Sequence, residues 1–258
     1  MDERIRDRRR SVARARGRRR ALVLLVVLLG AALTAGYFWL GSSSVFAVRR
    51  VSLPVTRHVT EAELREAVRA VAGVNLLRLS PADVERRLLL IPYVRSARVY
   101  RRFPDMLEVQ VTEFEPVARV QARDGKRWVI GEGGRVLEPA TEAMADLPLF
   151  VPAGETWPRV GGTAPPQVVE ALPILPLLRD PGVWFADQAV ARILVSDVGE
   201  LVLVLAPGGE VRLGEPAELK AKLMAAAEII DRYSREGRSL EYVDVHVPSR
   251  VVAKAKGP

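Results

Sequence analysis

Residues 91–113 read IPYVRSARVYRRFPDMLEVQVTE. From Val94 to Arg101 the apolar Val94, Ala97 and Val99 are set against Arg95, Ser96, Arg98 and Arg101. Phe103-Pro104-Asp105 makes a turn. Met106 to Thr112 alternates again, with Leu107, Val109 and Val111 facing one way. Two period-two segments across a short proline-containing turn predict a β-hairpin with one buried face.

Upstream, the pattern becomes helical. Ser80-Pro81 opens a helix, because serine caps and proline suits the first helical position. Asp83 lies near the positive helix end. Val84, Leu88 and the run Leu89-Leu90-Ile91 supply its apolar side, and Pro92 stops it. Before it, Thr60 and Glu63 form a capping box. Leu64, Val68 and Val71 make an apolar stripe that ends at Gly73. Val45 to Leu53 reads as an extended segment. The order strand, helix, helix, strand, strand places two helices on one face of a small sheet.

Downstream, Pro116 marks a boundary. Short strands are expected at 117–120, 128–130 and 135–137, separated by Asp124-Gly125 and Gly133-Gly134. Residues 146–166, rich in proline and glycine, read as a long surface loop. Residues 166–178 have a helical pattern that Pro173 and Pro176 interrupt. Strands follow at 193–195, 201–205 and 210–213. Residues 218–233 form a helix with Leu219, Leu223, Ala226, Ala227 and Ile230 facing inward. Leu240 to Val247 is the terminal strand, with Val251-Val252 as a continuation.

The chain has 258 residues and a formal charge of +8. Residues 1–20 carry ten arginines against Asp2, Glu3 and Asp7. Residues 41–258 carry 29 basic and 28 acidic residues, so no dense basic surface calls for nucleic acid. Residues 21–40, ALVLLVVLLGAALTAGYFWL, hold no charge. Twenty residues at about 1.5 Å each span roughly 30 Å, a bilayer core. The run exceeds the roughly 7–15 apolar residues of a cleaved signal. A transmembrane helix over 21–41 is expected. A cytoplasmic basic tail over 1–20, in contact with membrane lipid, precedes it, and the rest lies outside.

Cysteine is absent, which excludes disulfides, thiolate metal sites and cysteine nucleophiles. His58 and His246 are the two histidines, far apart in sequence, and read as surface or structural residues. No G-x-S-x-G, H-E-x-x-H or P-loop pattern occurs. Glu113 and Glu115 lie two apart on an extended segment and are expected to face solvent. No catalytic residue, cofactor or metal is expected. Interaction chemistry remains. A terminal strand is either an exposed edge, open to strand addition, or an internal strand that closes the core, and the sequence leaves both open. In the first case Tyr242, Val243, Val245 and Val247 offer apolar contacts and Arg250 a charge for an acidic partner.

The segment 91–104 and the hairpin through Glu113 resemble the bacterial cell-division family FtsQ/DivIB. So do Pro116-Val117-Ala118, Gly134-x-Val136, Leu147-Pro148, Val211-x-Leu213-Gly214 and Val243-Asp244-Val245. The chain departs from the family pattern at Phe114, at His246 and at Leu53-Pro54.

The resemblance implies an α+β chain: an N-terminal transmembrane helix, a POTRA domain (β-α-α-β-β) over 46–113, a mostly antiparallel β domain over 115–250, and a flexible tail at 251–258. It implies a non-enzymatic divisome scaffold in the inner membrane at the division septum. Such a scaffold binds FtsB/FtsL-like single-span proteins and other divisome components, and influences septal peptidoglycan synthesis. It also implies that Tyr242 to Val247, backed by the helix at 218–233, form the main partner surface. A POTRA-bearing secretion or outer-membrane assembly factor is the alternative reading, and a cell-wall enzyme a weaker one.

Overall fold

The computed structural model describes residues 24–37, 39–40, 43–154, 159–184, 189–206 and 208–256. The basic tail expected at 1–20 and its lipid contact lie outside them. Residues 24–37 are helical. Among the described residues no helix is long and apolar enough to cross a membrane. This corrects two expectations: the transmembrane helix over 21–41, and the single-pass inner-membrane placement with a cytoplasmic N-terminus that was drawn from it.

The chain divides into two compact units. Among the described residues, one holds those up to Val55, Glu61–Leu88 and Ala97–Gln110; the other holds Thr56–Thr60, Leu89–Ser96 and those from Val111 onward.

A three-stranded sheet, most of whose residues belong to the first unit, is built from β1 (Arg50–Ser52), β2 (Val94–Arg102) and β3 (Met106–Glu113), in the order β1-β3-β2. β1 runs parallel to β3, pairing Val51 with Leu107. The extended segment expected from Val45 to Leu53 shortens to β1, because Ser44–Phe46 is a 3-10 turn capped by Ser43. α1 (Glu61–Val68) packs on α2 (Pro81–Leu88). The stripe residues Leu64 and Val68 are buried, as are Val84 and Leu88. In β2 both Arg95 and Ser96 are exposed between buried Val94 and Ala97, so the alternation slips by one residue there.

The second unit is a nine-stranded sheet. Its strands are β4 (Pro116–Gln121), β5 (Arg127–Gly131), β6 (Val136–Pro139), β7 (Leu149–Pro152), β8 (Val190–Val195), β9 (Leu201–Leu205), β10 (Glu210–Gly214), β11 (Leu240–Asp244) and β12 (Val252–Ala255). The order is β12-β11-β10-β9-β8-β7-β4-β5-β6. The sheet is mixed. β4 with β7, β7 with β8, and β10 with β11 are parallel pairs, and the other five neighbouring pairs are antiparallel. Each parallel pair is joined through a long connection rather than a tight turn.

Two strands were not legible. β7 lies inside the stretch read as a surface loop, yet it is an interior strand with Phe150 fully buried. Pro148 precedes it and Pro152 is its last residue, and the two prolines gave its three apolar residues the look of a loop. β12 is a separate strand, not a continuation of β11. The chain turns at 246–250, where Arg250 N donates to Val247 O at 2.9 Å, and returns antiparallel to β11.

α3 (Pro166–Ala171) and α4 (Ile174–Arg179) divide at Pro173, as expected, but Pro176 does not interrupt: it lies in the first turn of α4, where its missing N–H costs no intrahelical bond. α5 (Leu219–Arg235) buries Leu219, Leu223, Ala226, Ala227 and Ile230 against β10 and β11.

Candidate partner-binding edge

Two open sheets have four edges, and an edge with free N–H and C=O groups is a template for another chain. β1 is three residues long, and the chain before it is tied down: Val48 N donates to Val74 O at 3.0 Å and Leu76 N to Phe46 O at 2.7 Å. On β2 the Val99 N–H is taken by Glu85 Oε1 at 2.9 Å. β6 is covered by the segment 161–163, with Val136 N donating to Gly162 O at 2.9 Å and Gly161 N to Val136 O at 2.8 Å. β12 pairs with β11 alone among the described residues. Among the described residues its outer edge is open.

The β12 edge follows from local sequence. In Val252-Ala253-Lys254-Ala255 the first and third residues are exposed, while the alanines are half-buried on the core side. Ala253 opposes Val243, and Lys254 opposes Tyr242. Lys254 Nζ forms an ion pair with Glu241 at 2.7 Å, which raises the ammonium pKa. A positive charge on an exposed strand is a common guard against indiscriminate pairing. The small alanines leave the core-side flank uncrowded.

Behind this edge is a polar brace. Burial pushes the Asp244 carboxyl up, but the His246 N–H at 3.1 Å, the His246 ring at 2.8 Å and the charge of Arg212 outweigh it. The group titrates below the usual carboxylate range. Arg212 lies over the Tyr242 ring at 4.4 Å, a cation–π contact.

The five residues expected to meet a partner are not brought together on one surface. Val243 and Val245 are fully buried in the core, and Tyr242 is half-buried beneath Arg212. Val247 is exposed in the turn beside an apolar groove with Leu177, Met224 and Pro248. Arg250 is exposed in the same turn. The edge residues Val252 and Lys254 were missed. The period-two pattern after Pro248-Ser249 was the available signal.

A second polar cluster was also missed. The Glu113 carboxylate accepts the backbone N–H groups of Arg57 at 2.7 Å, His58 at 3.0 Å and Val59 at 2.8 Å. Burial raises its pKa, but the three N–H groups lower it further. So Glu113 is not the solvent-facing partner of Glu115 that its spacing suggested. The His58 ring stacks on Tyr93 at 4.7 Å. The Tyr93 hydroxyl donates to Glu138, and burial with that carboxylate raises its pKa. The two histidines thus occupy separate structural settings. Among the described residues no group of three or more histidines or carboxylates could hold a metal.

Residues 46–114 match the family described as POTRA domain, FtsQ-type, and residues 118–246 match Cell division protein FtsQ/DivIB, C-terminal. The chain is 29% identical over 251 residues to Cell division protein FtsQ of Anaeromyxobacter sp. (strain K), covering 95% of this chain and 82% of that one. It is 30% identical over 250 residues to the protein of the same name from Myxococcus fulvus (strain ATCC BAA-855 / HW-1), covering 93% and 84%. Over a shorter stretch of 106 residues it is 38% identical to Cell division protein FtsQ of Streptomyces collinus, covering 40% of each chain.

Proposed function

The chain belongs to the FtsQ/DivIB family of divisome components, and on that premise we propose that it is a non-enzymatic scaffold that captures a small FtsB/FtsL-like division protein by strand addition at β12. Through that partner it would influence septal peptidoglycan synthesis. The observation that carries the proposal is the open outer edge of β12. An incoming extended segment would gain main-chain hydrogen bonds along Val252–Ala255, and its side chains would be read by Val252, Lys254 and the flanking Val247. In this reading residues 46–113 act as a POTRA domain and 115–250 as the β domain. Tyr242, Val243 and Val245 support the edge from behind. Val247 and Arg250 sit at its entrance.

A photocrosslinking amino acid at position 254 in cells tests the proposal, with position 198 as control, since Val198 is exposed in a turn outside the strands. Capture at 254 but not 198 of a small division protein, identified by mass, is the expected result. A folded protein that captures no such protein from 254 overturns the β12 assignment.

A further inference from the structure

The edge of the smaller sheet is closed by a side chain. The Val99 N–H points away from β3 and donates to Glu85 Oε1 at 2.9 Å. Val99 is buried and Glu85, on α2, is half-buried. In a hairpin strand the N–H and C=O of one residue point to the same side, and alternate residues point the same way. Ala97 and Arg101 therefore share the outward edge with Val99. Arg101 also sends Nη2 to Leu79 O at 2.5 Å, which holds the segment before α2 against the same strand.

We propose that Glu85 is an edge guard whose carboxylate occupies the outward Val99 N–H and closes β2 to strand addition. The guard deepens the strand-addition reading above and rests on it. It gives a reason why a chain with two sheets would take its partner on the larger one. An incoming strand at β2 must present a carbonyl where the carboxylate already sits, and must displace a charge-assisted bond to do so. Without the guard, the exposed Arg98 and Arg102 would favour an extended acidic segment.

The test uses the full chain as wild type, E85A and E85Q, and a synthetic peptide of alternating valine and glutamate as the probe. Alanine is the strongest helix former, so E85A preserves α2. Amide hydrogen exchange is followed at Val99 with and without the peptide. In E85A we expect Val99 to exchange about tenfold faster, the loss of one hydrogen bond of about 1.4 kcal/mol. The peptide should restore protection over 97–101 in E85A and leave the wild type unchanged. E85Q keeps an accepting oxygen but loses the charge, so its Val99 exchange should fall between those of the wild type and E85A. Unchanged Val99 exchange in E85A overturns the proposal, as does peptide protection of 97–101 in the wild type. If E85A melts far below wild type, Glu85→Leu, which keeps helix propensity and has no acceptor atom, replaces it with the same outcomes. Failure of crosslinking at position 254 would leave these exchange results unaffected, so the two readings fail separately.

Discussion

The His246 ring occupies the space that a side chain on Gly214 would need: a Cβ there would sit 2.2 Å from His246 Cδ2. Gly214 ends β10 with φ +66°, a conformation that side chains disfavour. One position thus combines a backbone demand with a packing demand, and His246 in turn braces Asp244 beside the candidate edge.

Gly214→Ala should therefore destabilise by at least about 2 kcal/mol, from the left-handed penalty plus the displaced ring. Urea unfolding measures this. Gly125→Ala, with a similar positive φ but open space around it, should cost clearly less. Equal losses would refute the role of the ring.

Phe150 tests the unexpected interior strand. It is fully buried in β7, between β4 and β8. Phe150→Ala should cost about 3–5 kcal/mol, as for a large core truncation. A cost under about 1 kcal/mol, as at a surface loop, would contradict the interior placement.

Glu113→Gln removes the charge from a carboxylate that holds three backbone N–H groups. We expect a loss of about 1–3 kcal/mol and faster exchange of the amides of residues 57–59. Glu115→Gln serves as the comparison and should leave those amides unchanged. Protection of 57–59 that survives E113Q would reject the assignment.

Acid should weaken the fold through the same groups. The Glu113 carboxyl, held by backbone N–H groups against its burial, titrates below its ordinary 4.5. The Asp244 carboxyl, held by His246 and Arg212 against its burial, titrates below its ordinary 3.8. The unfolded chain therefore binds more protons than the folded one as pH falls past those ordinary values. The stabilisation is complete above them and is lost as pH drops through the lower folded values. Unfolding free energy measured from pH 6 down to about pH 3 should fall. The double variant E113Q/D244N should show a shallower slope, and an unchanged slope would contradict the assignment.

Val243 and Lys254 separate folding from binding. Val243→Asp buries an unpaired charge and should cost about 3–5 kcal/mol, so its loss of assembly would report on folding. Lys254→Glu reverses an exposed edge charge. It should leave the melting temperature nearly unchanged and weaken capture of the division partner. Unaltered capture by K254E and by a Val252→Pro variant would remove β12 from the interface.

The sequence by itself determined what depends on neighbours a few residues apart. The helix starts directly after Thr60 and Ser80, the stripe of α5, the hairpin around Phe103-Pro104 and the break at Pro173 are set by local propensity and periodicity. The order of motifs from Ile91 to Val245 also carried the family resemblance. Tertiary structure decided what depends on residues distant in the chain. Leu149-Phe150-Val151 is a strand only because β4 and β8 flank it. Glu113 is a structural carboxylate only because residues 57–59 come to it. The sequence leaves the strand beginning at Leu240 open between an exposed edge and an internal strand; the return of β12 over β11 makes β11 internal and puts the free edge one strand further out. Strand neighbours in a sheet are fixed by long-range pairing, on which alternation within one strand has no bearing. The choice of open edge was therefore visible only once all four were placed.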